Sequence, residues 1–326
     1  EQFEQTETVQ LSPETETAKI ETVETETAEG TSLPVSGERD GERIIRVLLH
    51  TNGNTTEMDL GTYLTGVLCG EMPVSFEMEA LKAQAVAART YTRYMLASGG
   101  KHGNQADICT DPNCCQAYVS IDKERNDWGN QADAYEKKIK DAVSETDGQI
   151  LLYEDKPILA VFHSSSAGLT RTAEDVWSGG QPYLRPVSSP ETANNVPNYY
   201  SRVEFRKAEF CEKVKKAYPK ADFSAPTEEW IRDAVRDDAG SVVTLCVGGV
   251  TMQGSKLRSA LGLRSACFTW EVQGDSVVFY VTGFGHGVGL SQYGANQMAA
   301  DGADYREILA HYYPGTEQIG RASCRE

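Results

Sequence analysis

The sequence predicts an α+β fold, with mixed helices and short antiparallel sheets preceded by a disordered tether. Three observations carry this. Helical patterning dominates 59–98, short β-branched and aromatic runs recur later without regular βαβ alternation, and the first forty residues hold little that could be buried.

The tether comes first. Residues 1–30 contain nine Glu against the single Lys19, which supplies −8 of the net −17 and leaves the remainder only mildly acidic. Glu and Thr cannot bury enough apolar surface to offset ordering entropy, so 1–40 reads as a self-repelling, disordered segment. A tether implies an attachment, and a membrane anchor beyond its N-terminal end is the expectation. The acidic balance argues against a nucleic-acid binder, which needs a basic surface. No run of about 18 apolar residues occurs, so no transmembrane helix is expected. With neither an initiating Met nor a signal peptide, the chain reads as trimmed or incomplete.

The domain spans 41–318. A short strand is expected at 44–49. Leu60, Tyr63, Leu64, Val67 and Leu68 form a helical stripe, and Pro73 should end that helix near Glu71. An Ala-rich helix follows over 77–98 and stops at Gly99-Gly100. Residues 101–130 are loop-like, and 132–146 is helical. GQILLY and ILAVF around the turn EDKP predict a hairpin. Helices are expected near 207–218 and 228–237, strands near 242–247 and 269–281, a tight turn at 283–289, and two short helices before Pro314. The run IGRASCRE at 319–326 follows without structural logic, resembles translated adapter sequence, and is set aside.

Glu71 is the first candidate for chemistry. A carboxylate at a helix C-terminus meets orphan carbonyls and the negative dipole end, and Leu68, Met72 and Pro73 would desolvate it. Both effects raise its pKa towards that of a working proton donor. On local sequence alone, a surface Glu that merely ends a helix is the commoner outcome. Lys82, Arg89 and Arg93 share one face of the next helix, either lining a groove or forming a solvated face, while Gln84 points elsewhere. FHSSSAG (162–168) places Ser164, Ser165 and Ser166 after a strand, suited to sugar hydroxyls or to a simple Ser-rich turn; G-x-S-x-G is absent. In GFGHGVGLSQYGA (283–295) alternating Gly residues display His286, and Ser291 can cap the helix that carries Gln292 and Tyr293. The pattern is not a nucleotide-binding one.

His102, Cys109, Cys114 and Cys115 offer four soft ligands within fourteen residues, suitable for a structural zinc that pins the loop. Their irregular spacing leaves a disulfide as the rival.

Taken together, GEMP (70–73), LKAQAVAARTYT (81–92), FHSSSAG, LRSALGLRS (257–265), GFGHGVGLSQYGA and ILAHYYPGT (308–316) resemble the stage II sporulation protein D family across roughly 41–317, in the family's order. The resemblance implies a membrane-anchored, extracytoplasmic lytic transglycosylase of endospore formers, acting on peptidoglycan in the intermembrane space during engulfment. It implies a catalytic acid at Glu71. It also implies substrate contacts at Lys82, Gln84, Arg89, the Ser164–Ser166 run and the His286 loop, with Gln292 and Tyr293 beside them, all around a substrate groove. Zinc in the Cys/His loop fits some members. The expected substrate is glycan stripped of stem peptides by a partner amidase, stage II sporulation protein P. Only one strong carboxyl candidate suits a transglycosylase, although Glu77 or Glu79 could be a second. A non-cutting amidase enhancer and a hydrolase that leaves reducing ends are the rival readings.

Overall fold

A computed structural model describes residues 38–177 and 179–320. Most of the tether and most of the C-terminal tail therefore lie outside the described residues.

The chain opens with β1 (Ile44–Leu48), paired antiparallel with β2 (Thr55–Asp59). Asp59 then caps α1 (Leu60–Glu71) by accepting from the Thr62 amide at 2.9 Å. The helix ends where the sequence requires it to. Met72 precedes Pro73 and is extended, with ψ 131°. Next comes α2 (Met78–Ala97), whose Ala83, Ala85, Ala87 and Ala88 are all buried. Small side chains over most of its circumference let α2 serve as the central post of the first lobe.

Around that post pack α1, α4 (Ala132–Ser144), and two helices from the far end of the chain, α8 (Gln292–Ala300) and α9 (Tyr305–Tyr312). Between α2 and α4 the chain forms β3 (Ile108–Cys109), parallel to β1, and α3 (Ile121–Trp128). This corrects the expectation of a loop over 101–130. Because α3 buries no residue, it leaves no apolar stripe in the sequence, and Arg125 ties it to Asp133 and Glu136 of α4. The hairpin forms as β4 (Ile150–Tyr153) and β5 (Lys156–Pro157), and the chain continues to β6 (Phe162–His163) and the single-turn α5 (Ala173–Val176).

A second hydrophobic core gathers around Phe205, Phe210, Trp230, Phe268 and Phe279. It is built from β7 (Tyr200–Arg206), α6 (Lys207–Ala217), β8 (Ile231–Arg236), β9 (Val242–Val247), β10 (Val250–Gln253), α7 (Gly254–Leu261), β11 (Phe268–Gln273) and β12 (Ser276–Thr282). The helix expected at 228–237 is instead the strand β8. Register shifts against β9 and the positive φ (57°) of Asp233 break the two-residue alternation, leaving apolar residues at a spacing that mimics a helix. The chain then returns to the first lobe through β13 (Leu290–Ser291), parallel to β6, and closes with β14 (Glu317–Ile319) on β4.

Arg89 is fully buried in the middle of α2. Its Nε donates to Asp40 at 2.8 Å and its Nη2 at 2.6 Å, with further bonds to Thr146 and to the Val143 and Gln149 carbonyls. One guanidinium thus pins the start of the domain and the end of α4 to the central post.

Breaking a buried ion pair from one side strands its partner, at a cost of about 3–5 kcal/mol. Arg89→Met should therefore lower unfolding stability in urea by that order. A loss below 1 kcal/mol would show that the pair does not anchor the lobe.

Candidate active site

The two lobes flank a groove of about 650 Å³. Glu71 lies in its wall and is the only carboxyl-bearing residue lining it among the described residues. Its placement follows from two glycines on one face of α1. A side chain at Gly66 would sit 2.1 Å from the Tyr118 ring, and one at Gly70 would sit 2.8 Å from the Tyr118 amide. This bare strip lets segment 116–119 lie flat on the helix, where the Val119 amide bonds the Gly66 carbonyl at 3.0 Å. The Ala117 amide is thereby aimed at Glu71 Oε1, at 2.6 Å.

From the other side the Gln292 side chain also donates to Glu71. Burial penalises the charged carboxylate more strongly than these two bonds favour it, and the pKa rises from the usual 4.5 to about 7. Gln292 opens α8 directly after the cap residue Ser291. Ser291 donates to Glu191 at 2.6 Å, and the Ser166 amide donates to the same Oε1 at 2.6 Å. Burial opposes ionisation of Glu191, but hydrogen bonds from Ser189, Ser291 and Ser166 outweigh it and hold its pKa below the usual carboxylate range. Glu191 thus ties the Ser run to the start of α8. Nothing in its local sequence, SSPETANN, marks it for that role.

His163 and His286 meet with ring centroids 5.6 Å apart, and Trp177 lies 5.0 Å from His286. Val288 serves both rings: its carbonyl bonds His163 Nδ1 and its amide donates to His286 Nδ1, each at 3.1 Å. Burial pushes His163 down to about 4 and His286 well below its usual value, so both are neutral near pH 7. Gly285 (φ 111°) permits this meeting, because a Cβ there would lie 2.7 Å from that of His163.

The groove brings together Glu71, Ser164, His286 and Gln292, with Cys114 and Cys115 at its edge. Other expected contacts are placed elsewhere. Lys82 bridges Glu79 at 2.8 Å and Glu145 at 2.7 Å outside the groove. Gln84 is wholly buried in α2, and Arg89 is committed to Asp40. The expected cation row therefore does not face the groove, because Glu79 and the distant Glu145 pair with Lys82 and the distant Asp40 with Arg89. Ser165 and Ser166 are buried behind the wall, and the Tyr293 ring packs edge-on against Phe76 at 4.9 Å. Glu77 and Glu79 do not line the groove. Sequence reasoning missed Trp177 and the cations Lys256 and Arg258, which do.

His102, Cys109, Cys114 and Cys115 bring their ligand atoms within 4.8 Å of one another. Cys114 Sγ lies 3.6 Å from His102 Nε2 and 3.8 Å from Cys115 Sγ, and Cys115 Sγ lies 3.7 Å from the same nitrogen. A tetrahedron with zinc–sulfur bonds of about 2.3 Å has edges of roughly 3.8 Å. A disulfide would need its sulfurs about 2.05 Å apart. The donor set and its spacing fit a tetrahedral metal.

A family model described as a stage II sporulation protein matches residues 50–153. The chain is 38% identical over 268 residues to stage II sporulation protein D of Bacillus amyloliquefaciens, covering 82% of this chain and 76% of that one. It is 38% identical over 281 residues to the protein of the same name in Bacillus subtilis, covering 86% and 80%. It is also 28% identical over 306 residues to a Bacillus subtilis protein named amidase enhancer, covering 78% of this chain and 40% of that one.

The raised pKa of Glu71 has a thermodynamic signature. An acid that holds its proton more tightly when folded costs no stability below its unfolded pKa, and costs progressively more as pH rises towards its folded pKa. Glu71→Gln should therefore gain stability relative to wild type between about pH 4.5 and pH 7, with the difference constant above that range. Denaturation curves collected from pH 4 to 8 that stay parallel for the two proteins would contradict the buried, proton-holding carboxyl.

Proposed function

The chain belongs to the stage II sporulation protein D family, and on that premise we propose that it is a peptidoglycan lytic transglycosylase. It cleaves MurNAc–GlcNAc bonds in strands freed of stem peptides and leaves 1,6-anhydro-MurNAc ends. The observation that carries this reading is a groove that, among the described residues, holds one carboxyl, Glu71, with a pKa of about 7.

Glu71 in its acid form donates its proton to the glycosidic oxygen as the bond from that oxygen to MurNAc C1 breaks, and GlcNAc leaves with a free hydroxyl. The resulting carboxylate accepts the proton of the MurNAc C6 hydroxyl while that oxygen bonds to C1. The acid is thereby restored, and no water is consumed. A hydrolase needs two carboxylates flanking the bond, whereas here the nucleophile belongs to the substrate. A pKa near the working pH suits a group that must give and then take a proton. The Ala117 amide and the Gln292 side chain hold the carboxylate between the two steps. Ser164 and the neutral His286 are hydrogen-bonding groups for sugar hydroxyls, and Trp177 offers an apolar platform.

The cysteine and histidine cluster holds zinc in this reading. Such an ion would supply fixed coordination rather than chemistry, clamping the loop that carries Ala117. The proposed setting is extracytoplasmic, on a membrane-anchored protein, with stage II sporulation protein P as the amidase that strips the strands. The relative named amidase enhancer supports a second reading, in which the groove binds glycan and does not cut it.

Mass spectrometry of products from peptide-free glycan strands tests the assignment. Anhydro-MurNAc ends are expected from the wild type, with Glu71→Gln reduced about 10²–10⁴-fold. Reducing ends would make the protein a hydrolase, and binding without cleavage would make it an enhancer. For the cluster, one equivalent of zinc should co-purify and be lost in Cys114→Ser; a wild-type protein that is metal-free under reducing conditions would reject the site.

A further inference from the structure

The motif LRSALGLRS contributes little to the mechanism above, yet its helix forms the groove wall contributed by the second lobe. Leu257 and Leu261 of α7 are buried inward, leaving Lys256 and Arg258 lining the groove. The helix is rigidly seated, since a side chain at Gly254 would come 2.1 Å from the Val242 carbonyl oxygen. Arg258 is anchored through Nε to the Leu263 and Arg264 carbonyls, each at 3.2 Å. Lys256 is half-buried and has no ion pair with an acid among the described residues.

Charge in the groove runs opposite to charge in the chain. The protein carries −17, yet among the described residues Lys101, Arg171, Lys256 and Arg258 line this surface with Glu71 as the one carboxyl. Arg171 is neutralised by the buried Asp237, and Lys101 stands beside the thiols of the cysteine cluster. The α7 wall is thus the part of the groove where positive charge is not answered by the cysteines or Asp237. Neutral sugars need no such surplus. A muramyl residue whose peptide has been removed carries a free lactyl carboxylate, whereas one that keeps its peptide presents a neutral amide there. An ionised acceptor forms roughly twice as strong a hydrogen bond as a neutral one.

We propose that Lys256, beside Arg258 on the α7 wall, pairs with the free lactyl carboxylate of the strand and so selects peptide-free glycan. This rests on the function proposed above and adds the residue that determines its specificity. Two positions two residues apart on one wall commit the second lobe to substrate choice, while the first lobe holds the reacting carboxyl.

The test uses the full chain carrying Glu71→Gln, so that ligands are not consumed. Calorimetry would compare peptide-free GlcNAc–MurNAc oligosaccharides with chitin oligosaccharides of equal length, which lack the lactyl group. Adding Lys256→Gln should weaken the muramyl ligand about tenfold, the scale of one charge-assisted hydrogen bond. It should leave the chitin ligand unchanged, and Lys256→Arg should restore most of the loss. The preference for the muramyl ligand should also shrink as salt rises. Equal weakening of both ligands, in a variant that melts like its parent, would mean that Lys256 only shapes the groove, and no weakening would also overturn the proposal. If the Glu71→Gln protein binds neither sugar, the proposed function falls and this inference with it; if it binds both alike whatever stands at 256, only the inference falls.

Discussion

Everything in the first lobe depends on the burial of α2. A twenty-residue helix is enclosed most readily when its side chains are small or its polar groups are matched. α2 combines its alanines with a matched guanidinium, and among its buried polar side chains only the Gln84 amide lacks a hydrogen-bond partner in the described residues. Its alanines let α1, α4, α8 and α9 approach, and its buried guanidinium is answered by Asp40. The turn between α1 and α2 is held in the same framework, with Lys138 of α4 donating to the Val74 and Phe76 carbonyls. Glu71 sits at the head of that turn. Its position is therefore inherited from helix packing, which is the kind of fixed placement that the proposed proton donation to one oxygen would need.

The electrostatics of Glu71 follow from how few partners it is given. A carboxylate with three or more donors, such as Glu191, stays ionised despite burial. One with two donors in a similar setting does not, and its pKa settles near neutrality. The same lobe thus contains two enclosed glutamates with opposite tendencies, one held ionised and the other with its pKa raised towards neutrality. Hydrogen-bond supply separates them, since burial disfavours ionisation in both.

Much of the architecture was legible because local signals agreed with tertiary ones. The stripe of α1, the Pro73 stop, the alanines of α2 and the glycine stop after it all correspond to observed boundaries. Where a signal was local and its meaning tertiary, reading failed. Lys82, Arg89 and Arg93 do share a helix face, but no pattern within α2 tells that Asp40, Glu145 and Glu38 lie opposite them. The β8 bulge disguised a strand, and α3 had no buried face to announce it. For Glu71 only the helix end and its apolar neighbours were legible. The Ala117 amide and the Gln292 side chain that complete its surroundings come from remote parts of the chain, as do the serines around Glu191.

The second lobe is joined to the first in a particular way. Tyr200 at its entry pairs with Thr282 at its exit, and the Gly283 amide bonds the Tyr199 carbonyl at 2.9 Å. A segment that leaves and returns through one two-stranded stem is topologically a loop, however large it grows. Its core shares no residue with the core of the first lobe, and the family model over 50–153 stops short of it. The surroundings of Glu71 can therefore stay constant while the inserted module is enlarged, trimmed or exchanged, so new chemistries can be tried on the opposite wall of an unchanged groove. In that sense the stem is the seam along which such a protein can diversify.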